Sequence, residues 1–460
     1  MKYVSTRGQS EPVDFLDACL AGLAPDGGLY VPETWPRLEP ANPQESYVDL
    51  ATRILSAFAG DALPKSAIQG MCERAYATFA HEAVTPLVQM APNQFLLELH
   101  HGPTLAFKDV AMQFIAQLYD YALEQRDQRM TVICATSGDT GGAAAAAFAG
   151  SKRVSLVILH PDQRVSPVQR LFMTTTGAEN VTNLAVEGDF DDCQAIVKSL
   201  FADRTFSADV SLSGVNSINW ARIAAQSVYY AYAQAALGPS RALRFVVPSG
   251  NMGDALAGYV AARCGLLAGF EAVCAVNENK SLQVLLEEGH MRRMPAIKTP
   301  SPAMDISVPS NFERLFFEAS GRDGDAVRAT YQAYAQSGET QLPAKVMGPL
   351  QCMGLSAQSV SNGETLAELR TLLAGTGTLQ CPHTAVGIYV ARSIATTDTP
   401  PTVVLATAHA AKFPETLQAA TGQETPLPDR CQHLKGRNED YTRIAADVGI
   451  IKSLILGQSG

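Results

Sequence analysis

Lys108 is the residue whose surroundings in this 460-residue chain point most directly to chemistry. It follows a Gly-Pro turn and the apolar residues Leu105 and Phe107, and it stands at the start of a predicted helix. Partial burial and the positive end of a helix dipole both lower the pKa of a lysine, which lets the amine lose its proton. Because two glycine-rich turns follow, we expect an amine that holds an aldehyde cofactor as a Schiff base. A surface lysine that opens a helix is the alternative.

The first glycine-rich turn, TSGDTGG at 136–142, lies between a predicted strand and an alanine-rich helix that is expected to begin at Gly142. A strand, a glycine turn and a helix N-terminus bring backbone N–H groups to one point, which favours an anion. The dinucleotide pattern G-x-G-x-x-G and the P-loop pattern G-K-[ST] do not occur here. A purely structural turn is the alternative. The turn carries three hydroxyl side chains: Thr136, Ser137 and Thr140.

A second turn, PSGNMGD at 248–254, has the same design, because the predicted strand Arg244–Val247 precedes it and a predicted helix begins at Asp254. Two anion pockets in one chain suit a ligand pair with two anionic groups. Consider an enzyme whose aldehyde cofactor carries a phosphate and whose substrate is an amino acid. Such an enzyme needs one pocket for the cofactor phosphate and one for the substrate carboxylate. The residues themselves do not say which pocket holds which group.

The segment HGPTLAFKD, which contains Lys108, closely resembles the cofactor-lysine motif of threonine synthases. These are pyridoxal 5′-phosphate (PLP) enzymes of the fold type II, or tryptophan synthase β-like, family. The resemblance extends over nearly the whole chain, and the ordered set of motifs carries it rather than any single one. The N-terminal STRGQS and PDGGLYVP at 25–32 belong to this set. The later motifs are TSGDTGG, SINWARIAAQ at 217–226, PSGNMGD, CPHTAVG at 381–387 and TAHAAKF at 407–413.

The resemblance implies a role for each cofactor-binding position. Lys108 is the catalytic lysine, with Phe107 beside it, and Asp139 is expected near the pyridine ring. Thr407 follows a predicted strand, where open α/β sheets bind ligands, and is expected to face the pyridine nitrogen. Nearby His409 and Lys412 are expected to be structural, and Ala410 stands where the family usually has Pro. The cofactor phosphate is expected at Ser249, Gly250, Asn251, Met252 and Gly253.

The resemblance also implies a phosphorylated substrate, whose carboxylate is held by Thr136, Ser137 and Thr140. Its phosphate requires a further pocket of cationic or amide groups. For Asn219 a helix cap near Trp220 is the alternative, and for Arg222 a surface ion pair. The candidates for this pocket are Arg164, Ser166, Asn216, Asn219 and Arg222. Cys381, His383 and Thr384 are candidates to line the cofactor, with a packed turn as the alternative.

The activity that the resemblance implies is that of threonine synthase, a lyase of threonine biosynthesis. Phosphate leaves O-phospho-L-homoserine by γ-elimination, and water adds at Cβ to give L-threonine. Two other interpretations stay open. One is another fold type II PLP lyase, such as a serine or threonine dehydratase, which the long N-terminal region disfavours. The other is a non-catalytic PLP-binding homologue, which the intact Lys108 and both intact turns disfavour.

These residues must be positioned by alternating short apolar strands and helices, a pattern typical of α/β architecture with largely parallel sheets. We therefore expect two open α/β sheet domains of the fold type II kind after a helical N-terminal region. The expected ranges are 1–95 for the N-terminal region, 96–215 for the small domain, 216–420 for the large domain and 421–460 for a C-terminal segment. Predicted strands are Phe95–Glu98, Thr131–Ala135, Val154–Leu159, Val181–Val186, Arg244–Val247, Glu271–Ala275 and Thr402–Ala406.

The composition of the chain limits the kinds of binding partner that we expect. A formal net charge of -10 without a basic stretch argues against nucleic acid. The sequence contains no run of about 18 apolar residues and no signal-peptide pattern, so we expect a cytoplasmic enzyme without a membrane span. Nine scattered cysteines and eight histidines show no metal spacing, which predicts free thiols and no metal site. A monomer and a homodimer both remain open.

Overall fold

The computed structural model describes residues 1–396 and 398–458. The N-terminal region forms two short strands and three helices, and its longest helix starts where the Ser46 side chain accepts a hydrogen bond from the N–H of Asp49. That helix ends at Gly60, whose φ of 57° lies in the left-handed region. The elements of this region are β1 (Tyr3–Ser5), α1 (Phe15–Ala21), β2 (Tyr30–Pro32), α2 (Tyr47–Ala59) and α3 (Lys65–Tyr76).

Strands and helices alternate along the middle of the chain, with one antiparallel hairpin at its start. In order, these elements are β3 (Leu87–Ala91), β4 (Gln94–Glu98), α4 (Lys108–Gln125), β5 (Met130–Ala135), α5 (Asp139–Phe148), β6 (Val154–Pro161), α6 (Pro167–Thr174), β7 (Val181–Glu187), α7 (Phe190–Ala202), α8 (Arg204–Asp209), β8 (Leu212–Gly214), α9 (Trp220–Leu237), β9 (Arg244–Pro248) and α10 (Gly253–Arg263).

The last part of the chain completes both sheets. Its elements are β10 (Glu271–Val276), α11 (Ser281–Glu288), β11 (His290–Arg292), α12 (Phe312–Ala319), α13 (Gly324–Ser337), β12 (Glu339–Gln341), α14 (Ala344–Gln351), β13 (Leu355–Ser359), α15 (Asn362–Thr376), α16 (Pro382–Ser393), β14 (Thr402–Ala406), α17 (Pro414–Thr421), β15 (Thr442–Ala445) and α18 (Val448–Gln458). Short 3-10 helices lie at Gly60–Ala62, Pro302–Met304, Ala410–Lys412 and Asp429–Leu434.

Two open sheets form the framework, which confirms the predicted α/β fold class. The larger sheet has the order β13-β10-β9-β14-β4-β3, and all its pairs are parallel except β3 with β4. The smaller sheet has the order β15-β7-β6-β5-β8 and is parallel throughout. The central strands carry near-continuous buried apolar runs, as expected when helices cover both faces of a parallel sheet.

The N-terminal region packs onto the start of α9. The indole of Trp220 lies against the rings of Tyr3 and Phe58, with centroids 5.7 and 5.6 Å apart, and its N–H donates to the Tyr3 hydroxyl at 3.1 Å. Arg314 is fully buried nearby and donates to the carbonyl oxygens of Tyr30 and Ile218. Since Arg222 lies in the first turns of α9, this packing fixes the position of one predicted site residue.

The sheets divide the chain differently from the expected ranges. The boundary between 95 and 96 falls inside β4, which pairs with β14 in the larger sheet. The C-terminal segment is part of the smaller sheet, because β15 pairs with β7. Strand β15 is a short edge strand, and its exposed polar residues leave no apolar run to reveal it. Residues 459–460 of that segment lie outside the described residues.

Each predicted strand occurs, with bounds that differ by at most two residues. Helix α5 begins at Asp139 rather than Gly142, so Asp139 and Thr140 lie in its first turn.

Among the described residues, no helix combines the length and the hydropathy that crossing a membrane requires. The nine cysteines are free thiols, and all of them except Cys352 are buried.

Candidate active site

One cavity lies at the carboxyl ends of β5, β9 and β14 and collects most of the predicted site residues. Parallel strands that end at the same edge bring the following turns together, and this is where open α/β sheets bind ligands. The predicted residues that line it are Phe107, Lys108, Thr136, Ser137, Asp139, Thr140, Asn216, Arg222, Ser249, Gly250, Asn251, Met252, Gly253, His383 and Thr407.

The turn before α4 holds Lys108 at the cavity. The buried carboxylate of Asp109 accepts hydrogen bonds from the Thr104 N–H at 2.9 Å and from the Thr104 hydroxyl at 2.6 Å. This closes a turn in which Leu105, fully buried, has a φ of 63°, a strained value for a residue with a side chain. The N–H of Phe107 donates to the Thr407 carbonyl at 2.8 Å, which joins the turn to the end of β14.

Burial lowers the pKa of Lys108, and the positive charges of Arg222 and Lys412 act in the same direction. Asp139 opposes this shift, because its Oδ2 lies 3.5 Å from the Lys108 Nζ. The side chain of Lys108 is only 12% exposed, and its Nζ lies 5.4 Å from the centre of the Phe107 ring. A lysine whose neutral form is favoured can act as a nucleophile and as a base.

Asp139 lies between two lysines at the start of α5. Its Oδ1 lies 2.7 Å from the Nζ of Lys412 and accepts a hydrogen bond from the Gln169 amide at 2.9 Å. Burial opposes ionisation of Asp139, but the charges of Lys412 and Lys108 outweigh it and hold the pKa of this carboxyl well below its usual range. Asp139 is therefore an anion at the edge of the cavity.

The turn at 249–253 has the geometry of an anion cradle. Met252 has a left-handed φ of 62°, and the helix N-terminus of α10 follows it directly. The hydrogen bonds of the described residues include none donated by the N–H groups of Gly250, Asn251 and Met252. A Cβ at Gly250 would lie 2.7 Å from the carbonyl oxygen of Ala303, so only glycine fits there. These free N–H groups fit a phosphate.

The turn at 136–142 is braced from inside. The Thr136 hydroxyl accepts hydrogen bonds from the N–H groups of Gly138 and Gly141 at 2.9 and 3.0 Å. Thr136 therefore shapes the turn, and the first turn of α5 presents further N–H groups next to Ser137 and Thr140. Its chemistry fits a carboxylate.

Arg222 forms one wall of the cavity with two residues that sequence reasoning did not single out, Gln226 and Asp254. The Nε of Arg222, the Nε2 of Gln226 and the Oδ2 of Asp254 are buried without a hydrogen-bond partner among the described residues. A buried polar group left unpaired costs about 1–3 kcal/mol. This wall is therefore suited to receive a polar ligand.

Burial shifts the pKa values of the ionisable groups in this wall and of a nearby histidine. Burial lowers the pKa of Arg222 to about 10, so the guanidinium stays charged at neutral pH. Burial raises the pKa of Asp254 to about 7, although hydrogen bonds from Tyr229 and Tyr230 to its Oδ1 oppose the shift. His383 is also buried, which lowers its pKa to about 4, and its Nε2 accepts a hydrogen bond from the Ala303 N–H.

Three predicted substrate residues lie outside the cavity. Asn219 caps α9, because its Oδ1 accepts from the Ala221 N–H at 2.9 Å and its amide donates to the carbonyls of buried neighbours. Ser166 caps α6 and donates to the Lys412 carbonyl at 2.8 Å. Arg164 is 63% exposed and lies 4.0 Å from Asp189. Asn219 and Ser166 therefore serve as helix N-caps, a position at which Asn and Ser are preferred residues.

Three more residues considered in the sequence analysis, Cys381, Thr384 and His409, also make contacts that stabilise helix and turn ends. Cys381 caps α16 through the Thr384 N–H, and both side chains are buried outside the cavity. The ring of His409 accepts from the Ala411 N–H at 3.1 Å, which closes the 3-10 turn at Ala410. Among the described residues, no group of three or more His, Cys, Asp or Glu side chains is arranged to hold a metal ion.

Comparison with known proteins first defines the class of enzyme. Residues 78–339 match the family model described as "Pyridoxal-phosphate dependent enzyme". The site fits this cofactor, because it offers a lysine amine for the aldehyde, the N–H cradle at 249–253 for the phosphate and the Thr407 hydroxyl at a strand end. The cofactor is pyridoxal 5′-phosphate.

The flanking residues define the family. Residues 2–76 match "Threonine synthase N terminus" and residues 384–455 match "Threonine synthase, C-terminal". The chain is 40% identical to threonine synthase from Pseudomonas aeruginosa, over 99% of this chain and 98% of that one. It is 47% identical to the solved PLP-bound threonine synthase from Brucella melitensis, with a TM-score of 0.93 and coverage of 100% and 99%. The yeast structure follows at 36% identity, a TM-score of 0.91 and coverage of 99% and 98%. The chain belongs to the threonine synthase family, which confirms the resemblance.

Proposed function

We propose that this protein converts O-phospho-L-homoserine and water into L-threonine and phosphate. Its relatives are named for the synthesis of threonine. The observation that carries the choice of a phosphorylated substrate is the buried guanidinium of Arg222, whose Nε has no partner among the described residues and faces the same cavity as Lys108. A buried cation with unpaired donors is expected to bind an anionic group of the ligand. Such a lyase acts on a carbon–oxygen bond to phosphate.

Each part of the substrate has a matching part of the cavity. The turn at 136–142 receives the carboxylate through its free N–H groups and hydroxyls. Arg222, with Gln226 on the same wall and Asn216 also in the lining of the cavity, receives the phosphate. Lys108 lines the same cavity, and we assign it to the amino acid Cα. This arrangement positions one small substrate by its two ends.

PLP, when bound, takes up the charge left at Cα when a proton is removed. Lys108 is the group that removes this proton, since burial favours its neutral form. Loss of a Cβ proton then lets the phosphate leave Cγ, with Arg222 stabilising the departing charge. A proton returns to Cγ, water adds its hydroxyl at Cβ, and a proton returns to Cα, which completes threonine. We further propose that the enzyme acts in the cytoplasm on this small molecule.

The products of a single reaction test this proposal. Purified protein is incubated with O-phospho-L-homoserine, and released phosphate and L-threonine are both measured. We expect equal amounts of the two. Phosphate with 2-oxobutyrate in place of threonine would instead show a related lyase, and neither product would refute the proposal. A fungal L-serine ammonia-lyase shares the fold at only 14% identity with a TM-score of 0.52, which is evidence for the fold alone.

A further inference from the structure

Lys412 contacts the active site without lining the cavity. It lies in the 3-10 turn Ala410–Lys412 and is fully buried. Its Nζ lies 2.7 Å from Asp139 Oδ1 and donates to the Thr104 carbonyl at 2.7 Å, and it sits 5.2 Å from the centre of the Phe172 ring. A fully buried ammonium group needs such partners, because desolvation disfavours its charge. Lys412 therefore joins the strand-end turn to both Asp139 and the turn before Lys108.

The two oxygens of Asp139 have different surroundings. Oδ1 is occupied by the Lys412 ammonium and the Gln169 amide. Oδ2 faces Lys108 across the longer distance of 3.5 Å. Two lysines and one carboxylate leave an excess positive charge in a buried place, which favours release of a proton from one lysine. Lys412 has the shorter ion pair and the additional carbonyl acceptor, so Lys108 is the lysine that gives up its proton.

We propose that Lys412 is a positioning residue that holds Oδ1 of Asp139 and offsets the negative charge of this carboxylate, and thereby keeps the nitrogen of Lys108 readily deprotonated. The proposal rests on the proposed function, in which Lys108 holds the cofactor. Lys412 acts through Asp139 and touches neither substrate nor cofactor. A purely structural role, in which Lys412 only anchors the turn, makes a different prediction for titration of the cofactor band.

The test is a pH titration of the Schiff-base absorption band in purified holoprotein. In Lys412→Met, Asp139 loses its closest cationic partner and pairs with the nitrogen at Lys108. We expect the pH midpoint to rise by about 1 unit or more, the size of effect that a nearby charge exerts. In Asp139→Asn the midpoint is expected to fall. Lys435→Met, which removes an exposed lysine, is the control and is expected to keep the wild-type midpoint.

The double variant shows whether Lys412 acts through Asp139. In the Asp139→Asn background, Lys412→Met is expected to move the midpoint much less than it does in the wild type. An equal shift in both backgrounds, or no shift in folded Lys412→Met, would overturn the proposal. If Lys412→Met does not fold, Lys412→Arg, which keeps the charge, is expected to keep the wild-type midpoint, and Asp139→Asn must still lower it. A changed midpoint in Lys412→Arg or an unchanged midpoint in Asp139→Asn would then overturn it.

Failure of the proposed function has a separate signature. If the wild-type protein shows no Schiff-base band, or if the band persists in Lys108→Ala, the assignment of Lys108 is wrong. Those results do not depend on any variant of Lys412.

Discussion

The two glycine turns of the cavity have the same strand–turn–helix design but different chemistry. The turn at 136–142 contains a carboxylate, Asp139, held between Lys108 and Lys412, and it is braced by the Thr136 hydroxyl. The turn at 249–253 has no charged side chain and lines the cavity next to Ala303, and its N–H groups at 250–252 donate no hydrogen bond among the described residues. One turn therefore places a carboxylate beside Lys108, whereas the other presents uncharged N–H groups.

Two turns with the same backbone design therefore need not have the same role. Both turns bring N–H groups to the carboxyl end of a parallel strand, which is sufficient for binding an anion. Proton transfer requires in addition an amine or another base, and the Asp139 turn lies beside the amine of Lys108. Substitutions in or near the two turns should accordingly damage different steps.

The largest effect is expected for Lys108→Ala at the charged turn. Loss of the amine removes both the Schiff base and the base that takes the Cα proton, and a general base alone contributes roughly 10²–10⁴-fold. We expect threonine formation to fall at least about a thousandfold and the absorption band of the Schiff base to disappear. Lys435→Ala, at an exposed lysine, is the matched control. Retention of full activity would remove Lys108 from the mechanism.

Arg222→Ala tests the wall between the two turns. A hydrogen bond to a charged group contributes about 1.5–3 kcal/mol, so the KM for O-phospho-L-homoserine should rise roughly 10- to 100-fold. Binding of the unphosphorylated amino acid should change far less. Arg164→Ala, at an exposed arginine outside the cavity, should leave KM nearly unchanged. Equal losses for phosphorylated and unphosphorylated ligands would place the phosphate elsewhere.

Gly250→Ala tests the neutral cradle. Its Cβ would meet the Ala303 carbonyl at 2.7 Å, and overpacking of this kind costs about 1–3 kcal/mol. We expect affinity for PLP to fall about tenfold or more, measured by titrating PLP into protein freed of cofactor. At saturating PLP, turnover should largely recover. Gly348→Ala, where a Cβ meets nothing within 4 Å, is the control. Unchanged PLP affinity in Gly250→Ala would contradict the cradle.

Asp254→Asn, directly after the neutral cradle, is expected to change the pH dependence of the free energy of unfolding. Because the pKa of Asp254 is raised to about 7 in the fold, the folded protein binds this proton more tightly than the unfolded chain does. The wild type should therefore lose stability relative to Asp254→Asn as the pH rises from about 4 to about 7, and the difference should then level off. Chemical denaturation at several pH values measures this, with Asp61→Asn at an exposed site as control. Parallel pH curves for wild type and Asp254→Asn would contradict the assignment.

Much of the fold could be predicted because buried parallel strands are apolar on both faces. Strands such as Met130–Ala135 and Thr402–Ala406 are therefore visible as apolar runs next to turn residues. The short edge strand Thr442–Ala445 has exposed polar residues and was not predicted. Its place in the smaller sheet depends on long-range pairing with Val181–Glu187, which no local pattern encodes.

The site was predictable where a local motif creates it and not where folding assembles it. Glycine turns after strands indicated two segments that both line the cavity. Asn219 and Ser166 were misleading because Asn and Ser are preferred both for phosphate contacts and for helix caps, and here they form caps. Lys412 was expected to be structural, and its contact with Asp139 arises only when the end of β14 meets the start of α5. Gln226 and Asp254 end the motifs SINWARIAAQ and PSGNMGD, but nothing in those strings singled them out as site residues.

We expect Lys108, and not the neighbouring Lys412, to form the covalent bond with the cofactor. Borohydride reduction of the holoprotein, followed by digestion and mass spectrometry, fixes the pyridoxyl group to whichever lysine carries it. We expect the modification at Lys108, because that lysine lines the cavity and has a lowered pKa, whereas Lys412 is fully buried in its ion pair. A pyridoxyl group on Lys412, or on any lysine outside the cavity, would contradict it.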